Sequence, residues 1–247
     1  PTIVKTENET SNDRNSLPGW LGPFGGFFVA FALAGALLAA GRVLAQQTDD
    51  YMPAQLRVLI TAVGAGLAGA IASRVRVGSV AGRLAATGWM VAAAVLLTGP
   101  LLMRVHAVLP LAFFAGFALA LCAAAGSRLI MAVAAVVGLF AGVFGTGFAL
   151  FPRLHYAGSL YAAAAWPVLL FAATVVASRQ SLAKLAVGLV VLGIGAFALP
   201  GRLAPILSPG EGWNVAAQRE GVAGAVTLLE KPVPAGQPLL QRLIVDN

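Results

Sequence analysis

The sequence is short of charge, and acidic residues are the scarcest. Only 10% of its 247 residues are charged, and no Asp or Glu occurs between Asp50 and Glu211. Soluble domains carry about 25% charged residues. Ion-coupled transporters and proton pumps place an ionisable group inside the bilayer, and the acid-free stretch offers no carboxylate for that task. This absence argues against coupled transport.

Residues that carry metal or covalent chemistry are also few. The chain has one cysteine, Cys122, and two histidines, His106 and His155. One cysteine allows neither an intrachain disulfide nor a thiolate metal cluster, and we expect Cys122 to be a small buried apolar side chain. No Asp, Glu or Cys stands near either histidine, and the sequence has no GxSxG, HExxH or P-loop motif. We therefore assign no catalytic, cofactor-binding or metal-ligating residues and expect no cofactor.

Long apolar runs dominate what is present. Hydrophobic residues make up 59% of the chain, and its mean hydropathy is +0.88. Residues 105–127 and 129–152 contain no Lys, Arg, Asp or Glu. A helix needs roughly 20 apolar residues to cross a bilayer core, and both runs are longer than that. The chain is therefore predicted to be an integral membrane protein.

The pattern predicts an all-α bundle of about seven transmembrane helices with a short C-terminal three-stranded β segment. The domains are a polar tail at 1–19, the membrane domain at 20–200, a linker at 201–212 and a small antiparallel β segment at 213–247. The predicted spans are 21–44, the stretch between Arg57 and Arg74, 84–103, 107–125, 129–151, 157–177 and 182–199. The predicted strands are 213–218, 223–229 and 239–245. Short connections predict antiparallel neighbours.

The net charge of +7 is better explained by a membrane surface than by nucleic acid. The Lys and Arg residues of the chain lie mostly at the ends of apolar runs, where such residues set topology and meet anionic headgroups. One side of the membrane would hold Lys5, Arg14, Arg74, Arg76, Arg83, Arg128, Arg179 and Lys184, and the other Arg42, Arg57, Arg104, Arg153 and Arg202. The positive-inside rule then favours a cytoplasmic N-terminus, by a small margin.

Glycine and hydroxyl residues inside the spans have structural interpretations. Gly64, Gly66 and Gly69 match the dinucleotide-binding pattern GxGxxG, but they lie within a span and no acidic residue follows at the required distance. Such spacing, like that of Gly138 and Gly142, allows close helix packing in lipid, and Gly35 and Gly41 have the same interpretation. The span hydroxyls can each bond to their own helix backbone; these are Thr61, Thr87, Thr98, Thr146, Ser159 and Thr174.

The C-terminal segment resembles the opening β-hairpin of spermidine synthase-like proteins. The likeness is carried by Trp213–Glu220, by Gly224–Glu230 and by Leu243–Asn247. Membrane-fused members of that family carry several helices before an aminopropyltransferase domain. Trp213 stands where soluble members have a substrate-contacting Gln. The sequence ends at Asn247, before the nucleotide loop and the acidic substrate-binding residues, so no catalytic residue of the family maps onto it.

The resemblance implies a membrane module that anchors or positions a C-terminal soluble domain, with no catalysis in these residues. The chain is then either part of a longer fused protein or a form that kept only the membrane domain. The alternative is a non-catalytic accessory subunit of a larger membrane complex, docking through Gly/Ala-rich helix faces and the β segment. An uncoupled transporter is less favoured, because buried polar groups are few. We expect a bacterial inner-membrane location, contacts with the lipid bilayer and with membrane or soluble protein subunits, and no nucleic-acid partner.

Overall fold

In a computed structural model, the described residues form seven α-helices, one π-helical segment and three strands. The structure describes residues 18–48, 51–75, 79–101, 108–125, 127–179, 182–198, 213–220, 225–231 and 240–246. The helices are α1 (Leu21–Thr48), α2 (Tyr51–Ala72), α3 (Val80–Leu101), α4 (Val108–Ala125), α5 (Arg128–Phe144), α6 (Phe151–Ala177) and α7 (Leu182–Ala198). The π-helical segment is Gly145–Leu150, and the strands are β1 (Asn214–Glu220), β2 (Ala225–Lys231) and β3 (Leu240–Asp246).

The length and apolarity of these helices confirm the predicted fold class. Within the described ranges, six stretches are long and apolar enough to cross a bilayer: Leu21–Arg42, Gln55–Ala72, Val80–Thr98, Val108–Ala125, Arg128–Leu154 and Gly158–Ala177. Helices suit that environment because every backbone N–H and C=O finds its partner within the segment. The apolar part of α7, Ala183–Ile194, is shorter than the other six. The protein is thus a multi-pass membrane protein with six full-length candidate spans and one shorter apolar helix.

Helix α1 lies at the centre of the bundle, where it contacts α2, α3, α4, α5 and α6. Its partners show how the neighbouring helices run. A Cβ on Gly138 would meet the Phe27 carbonyl, and one on Gly142 would lie 2.5 Å from the Phe31 carbonyl oxygen. Residue numbers therefore increase in the same direction along α1 and α5, so the two helices are parallel.

The chain reverses direction between α5 and α6. A Cβ on Gly35 would lie 2.5 Å from Thr146 Oγ1 and 3.7 Å from the Ala163 Cβ, so α1 meets both helices at one level. Ten residues earlier on α1, a Cβ on Gly25 would lie 2.8 Å from Leu170. Helix α6 is therefore antiparallel to α1 and α5. The predicted hairpin packing is not observed for this pair, because α5 and α6 each pack on α1 and not extensively on each other.

An alternating up-and-down path gives the bundle two distinct ends. Helices α1 and α3 begin, and helices α2 and α4 end, at one end of the bundle, which we call the entry end. The opposite end is the exit end. Helix α5 begins at the entry end because it runs parallel to α1. Helix α7 packs against α3 and α6 at the edge of the bundle, where the Trp89 Nε1–H donates to the Gly188 carbonyl at 3.0 Å.

Helices α2 and α4 approach so closely that their glycines are needed. A Cβ on Gly69 would collide with the Phe113 carbonyl, and one on Gly116 would collide with the Gly66 carbonyl. By contrast, Gly64 has nothing within 4 Å of the same position. The predicted role of the GxGxxG match in close helix packing is confirmed for Gly66 and Gly69, while Gly64 faces outward.

The C-terminal strands form one antiparallel sheet in the order β1-β2-β3. Thr227 pairs with Gln218 on one side and Ile244 on the other, and the β1 register shifts between Val215 and Ala217. Thr227 and Leu229 are buried, and β1 contacts α6. The three predicted strands are confirmed to within two residues at each end, and the sheet is attached to the helical bundle.

Several helix boundaries differ from those expected. Helix α1 continues to Thr48 instead of ending near Leu44, and α2 begins at Tyr51, so that Arg57 lies inside it. The π-helical segment was not anticipated. A helix can continue beyond its apolar residues, as at the end of α1 and the beginning of α2, because polar residues form the same backbone hydrogen bonds.

Candidate functional site

The largest concentration of charge on the described helices surrounds a cavity at the entry end of the bundle. The cavity encloses about 870 Å³ and lies among the ends of α2 and α4 and the beginnings of α3 and α5. Arg74, Arg83 and Arg128 all line it. Guanidinium groups stay positively charged at physiological pH. The cavity therefore combines three fixed positive charges in one recess.

Arg83 is held in place by contacts with two neighbouring helices. Its Nη2 donates to the Ser73 carbonyl just beyond α2, and its guanidinium carbon lies 5.6 Å from the ring centroid of Phe117 on α4. The Ser73 hydroxyl in turn donates to the Ala70 carbonyl at 2.7 Å. A cation above an aromatic face is attracted by the ring quadrupole. These contacts order the Arg83 head group, while Arg74 and Arg128 are exposed at the cavity rim.

The remaining walls of the cavity are apolar. They comprise Leu67, Ala70, Ile71, Val80, Ala120, Leu121, Ala123 and Ala124. Leu67, Ile71 and Val80 are also exposed on the outer surface of the bundle. The recess is thus amphipathic, with cationic groups at its end and an apolar wall that continues onto the surface of the spans.

A second recess lies between α3, α6 and α7. It is a shallow recess of about 490 Å³ lined mainly by apolar groups, among them Trp89, Phe171 and Val187, together with Lys184. Because it offers almost no polar group to orient a ligand, it lacks the few convergent polar contacts that give a binding site its specificity.

Thr146 departs from the behaviour expected of hydroxyl residues inside spans. Thr87, Thr98 and Thr174 donate to carbonyls four residues earlier, at 2.5–2.7 Å, as predicted. Thr146 is fully buried in the π-helical segment, and its hydroxyl has no hydrogen-bond partner among the described residues. Just before Thr146, the Gly145 backbone N–H donates to both the Ala141 and the Gly142 carbonyls. The prediction of backbone bonding is wrong at this position.

The other residues singled out from the sequence do not form a site in the described part of the chain. Cys122 is buried on α4, as expected of a small apolar side chain. His106 lies outside the described residues, and so does the side chain of His155. Among the described residues, no group of three or more His, Cys, Asp or Glu side chains comes together.

The arginine cavity was missed because its residues carry no motif. Arg74, Arg83 and Arg128 belong to the set assigned to one membrane side from the sequence, and the structure places all three at the entry end as expected. Their convergence depends on which helix ends are neighbours, and the order of spans along the chain does not determine that. The signal available in the sequence was the lack of any acidic residue to balance them.

Comparison with protein-family models, with curated proteins and with solved structures finds no match to this chain in any of the three.

Proposed function

We propose that this chain is the membrane module of a spermidine synthase-like protein, which anchors and positions a C-terminal soluble domain. The observation that carries the proposal is the C-terminal sheet attached to the bundle through the contact of β1 with α6. Three strands cannot bury a core of their own. Their stability here comes from packing against other parts of the molecule, as expected of the first element of a larger domain.

The two faces and the edges of the sheet support this role. Thr227 and Leu229 on β2 are buried, whereas Val226, the residue before Thr227, is exposed. One face is therefore covered, and the outer strands β1 and β3 each present an edge. An unpaired edge is a template for further strands. A domain continuing from β3 can extend the sheet directly, and the linker at 201–212 connects it to the last helix.

An intact-mass measurement on the native protein tests the anchoring role. We expect a mass well above the 25.1 kDa of these residues, because the soluble domain accounts for the difference. The protein should be purified from its own host without added tags, so that the measured mass reflects the natural reading frame. A native mass of 25.1 kDa would contradict the fused arrangement.

The second candidate is a non-catalytic accessory subunit of a larger membrane complex. It is favoured by the outward face of α2, where Gly64 and Ala68 are both exposed and lie four residues apart. Two small residues at that spacing allow a neighbouring helix to approach closely. Stoichiometric copurification in mild detergent, weakened by Gly64→Leu and unaffected by Gly193→Leu, would support this role. A lone monodisperse protein would count against it.

A further inference from the structure

We propose that the arginine cavity at the entry end binds a phosphate group, and that the phosphate belongs to the headgroup of an anionic phospholipid. This inference does not depend on the C-terminal domain. It follows from the charge of the recess, the way in which Arg83 is held, and the apolar wall next to it.

No Asp or Glu on helices α1 to α7 can act as a counterion for the positive charge of the cavity. The sequence has no Asp or Glu between Asp50 and Glu211, so α2 to α7 cannot supply a carboxylate. Arg74, Arg83 and Arg128 nevertheless share one recess. Like charges that share one recess repel each other. An anion from outside these helices relieves that repulsion.

The chemistry of the donors selects phosphate among anions. Guanidinium groups present several N–H donors in a planar fork that matches phosphate oxygens. Arg83 enters the cavity already ordered by Ser73 and Phe117, so binding does not have to restrict that side chain. Arg74 and Arg128 stand at the rim on two other helices. Three donors from α3, α5 and the end of α2 can thus converge on one group.

The apolar wall favours a lipid as the source of the phosphate. Leu67, Ile71 and Val80 line the cavity and are also exposed on the bundle surface. A phospholipid can place its phosphate among the arginines while its acyl chains follow this wall into the bilayer. A small soluble phosphate compound satisfies the charges but leaves the wall uncovered.

Lipid retention in native mass spectrometry tests the proposal on the full chain in mild detergent. We compare phosphatidylglycerol with phosphatidylcholine for the wild type, for Arg74→Gln/Arg128→Gln and for Lys184→Gln. We expect the wild type to hold phosphatidylglycerol about tenfold more tightly, and the double variant to lose this preference, because two charge-assisted contacts disappear. Lys184→Gln removes one charge at the same end but outside the cavity, so it should keep the preference. Arg83 stays unchanged, because it also bonds to the Ser73 carbonyl.

Two further measurements are needed. One distinguishes a lipid phosphate from a soluble phosphate, and the other distinguishes loss of binding from loss of folding. Displacement of bound phosphatidylglycerol by inorganic pyrophosphate would assign the site to soluble phosphate compounds, and retention of the lipid would assign it to the headgroup. Arg74→Lys/Arg128→Lys preserves the charge and should keep the preference even if the glutamine variant folds poorly. Equal retention of the two lipids by the wild type overturns the proposal. A preference that survives in the folded glutamine variant overturns it as well.

Discussion

Replacing Gly116 by valine is expected to disrupt the bundle strongly. A side chain at Gly116 would collide with the Gly66 backbone, and the helix backbones would have to move apart. In lipid, helix association depends on close van der Waals contact, so the separation removes many contacts at once. We expect a loss of about 3 kcal/mol in the free energy of unfolding, seen as a decrease of roughly 10 °C in Tm.

The same substitution at an open glycine provides the control. Gly64 on α2 and Gly193 on α7 have nothing within 4 Å of the position that a Cβ would occupy. Gly64→Val and Gly193→Val should therefore leave Tm within about 2 °C of the wild type. Gly69→Val should behave like Gly116→Val, because its side chain would meet the Phe113 carbonyl. Thermal unfolding followed by circular dichroism in detergent measures all four, and equal Tm values would refute the packing of α2 on α4.

A lysine on the outward face of α5 is expected to have an effect of similar size. Leu139 lies at the middle of this span and is 40% exposed. If lipid surrounds that face, Leu139→Lys costs about 3 kcal/mol, the value for a charge at the centre of a spanning helix. The effect should appear as reduced membrane insertion and a lower unfolding temperature in lipid nanodiscs.

The same change on the C-terminal sheet separates lipid from water. Leu243 on β3 is 62% exposed, and Leu243→Lys there should change the stability by no more than about 0.5 kcal/mol, as surface substitutions in water do. A neutral effect at both positions would mean that the outer face of α5 meets water or a polar partner. A large effect at Leu139 alone would show that lipid surrounds α5 and that β3 lies outside the bilayer.

The helices could be predicted because their cause is local. A stretch such as residues 105–127 has no charge to interrupt a span, and α4 occupies its apolar part. The role of Gly66 and Gly69 was also evident, because small residues at helical spacing have one common use in lipid. The strands followed from alternating residues bounded by Pro and Gly, and their ends shifted by no more than two residues.

The features that were missed depend on neighbours distant in sequence. The residues around Thr146 give no sign of a π-helical turn. The turn occurs where Thr146 packs against Gly35 on α1, and that contact cannot be read from the local sequence. The parallel pairing of α1 with α5 likewise brings together helices that are far apart along the chain. The arginine cavity depends on the same tertiary arrangement. A single sequence placed its three arginines at one end but could not show that they share a recess.

The central claim is that lipid surrounds the helices between Leu21 and Ala198, and alkaline carbonate extraction tests it most directly. After membranes containing the full chain are washed with carbonate, we expect the protein to remain in the pellet and to be released only by detergent. The six apolar spans among its described residues give it no stable alternative in water. Recovery of a folded, monomeric protein in the carbonate supernatant would contradict the account.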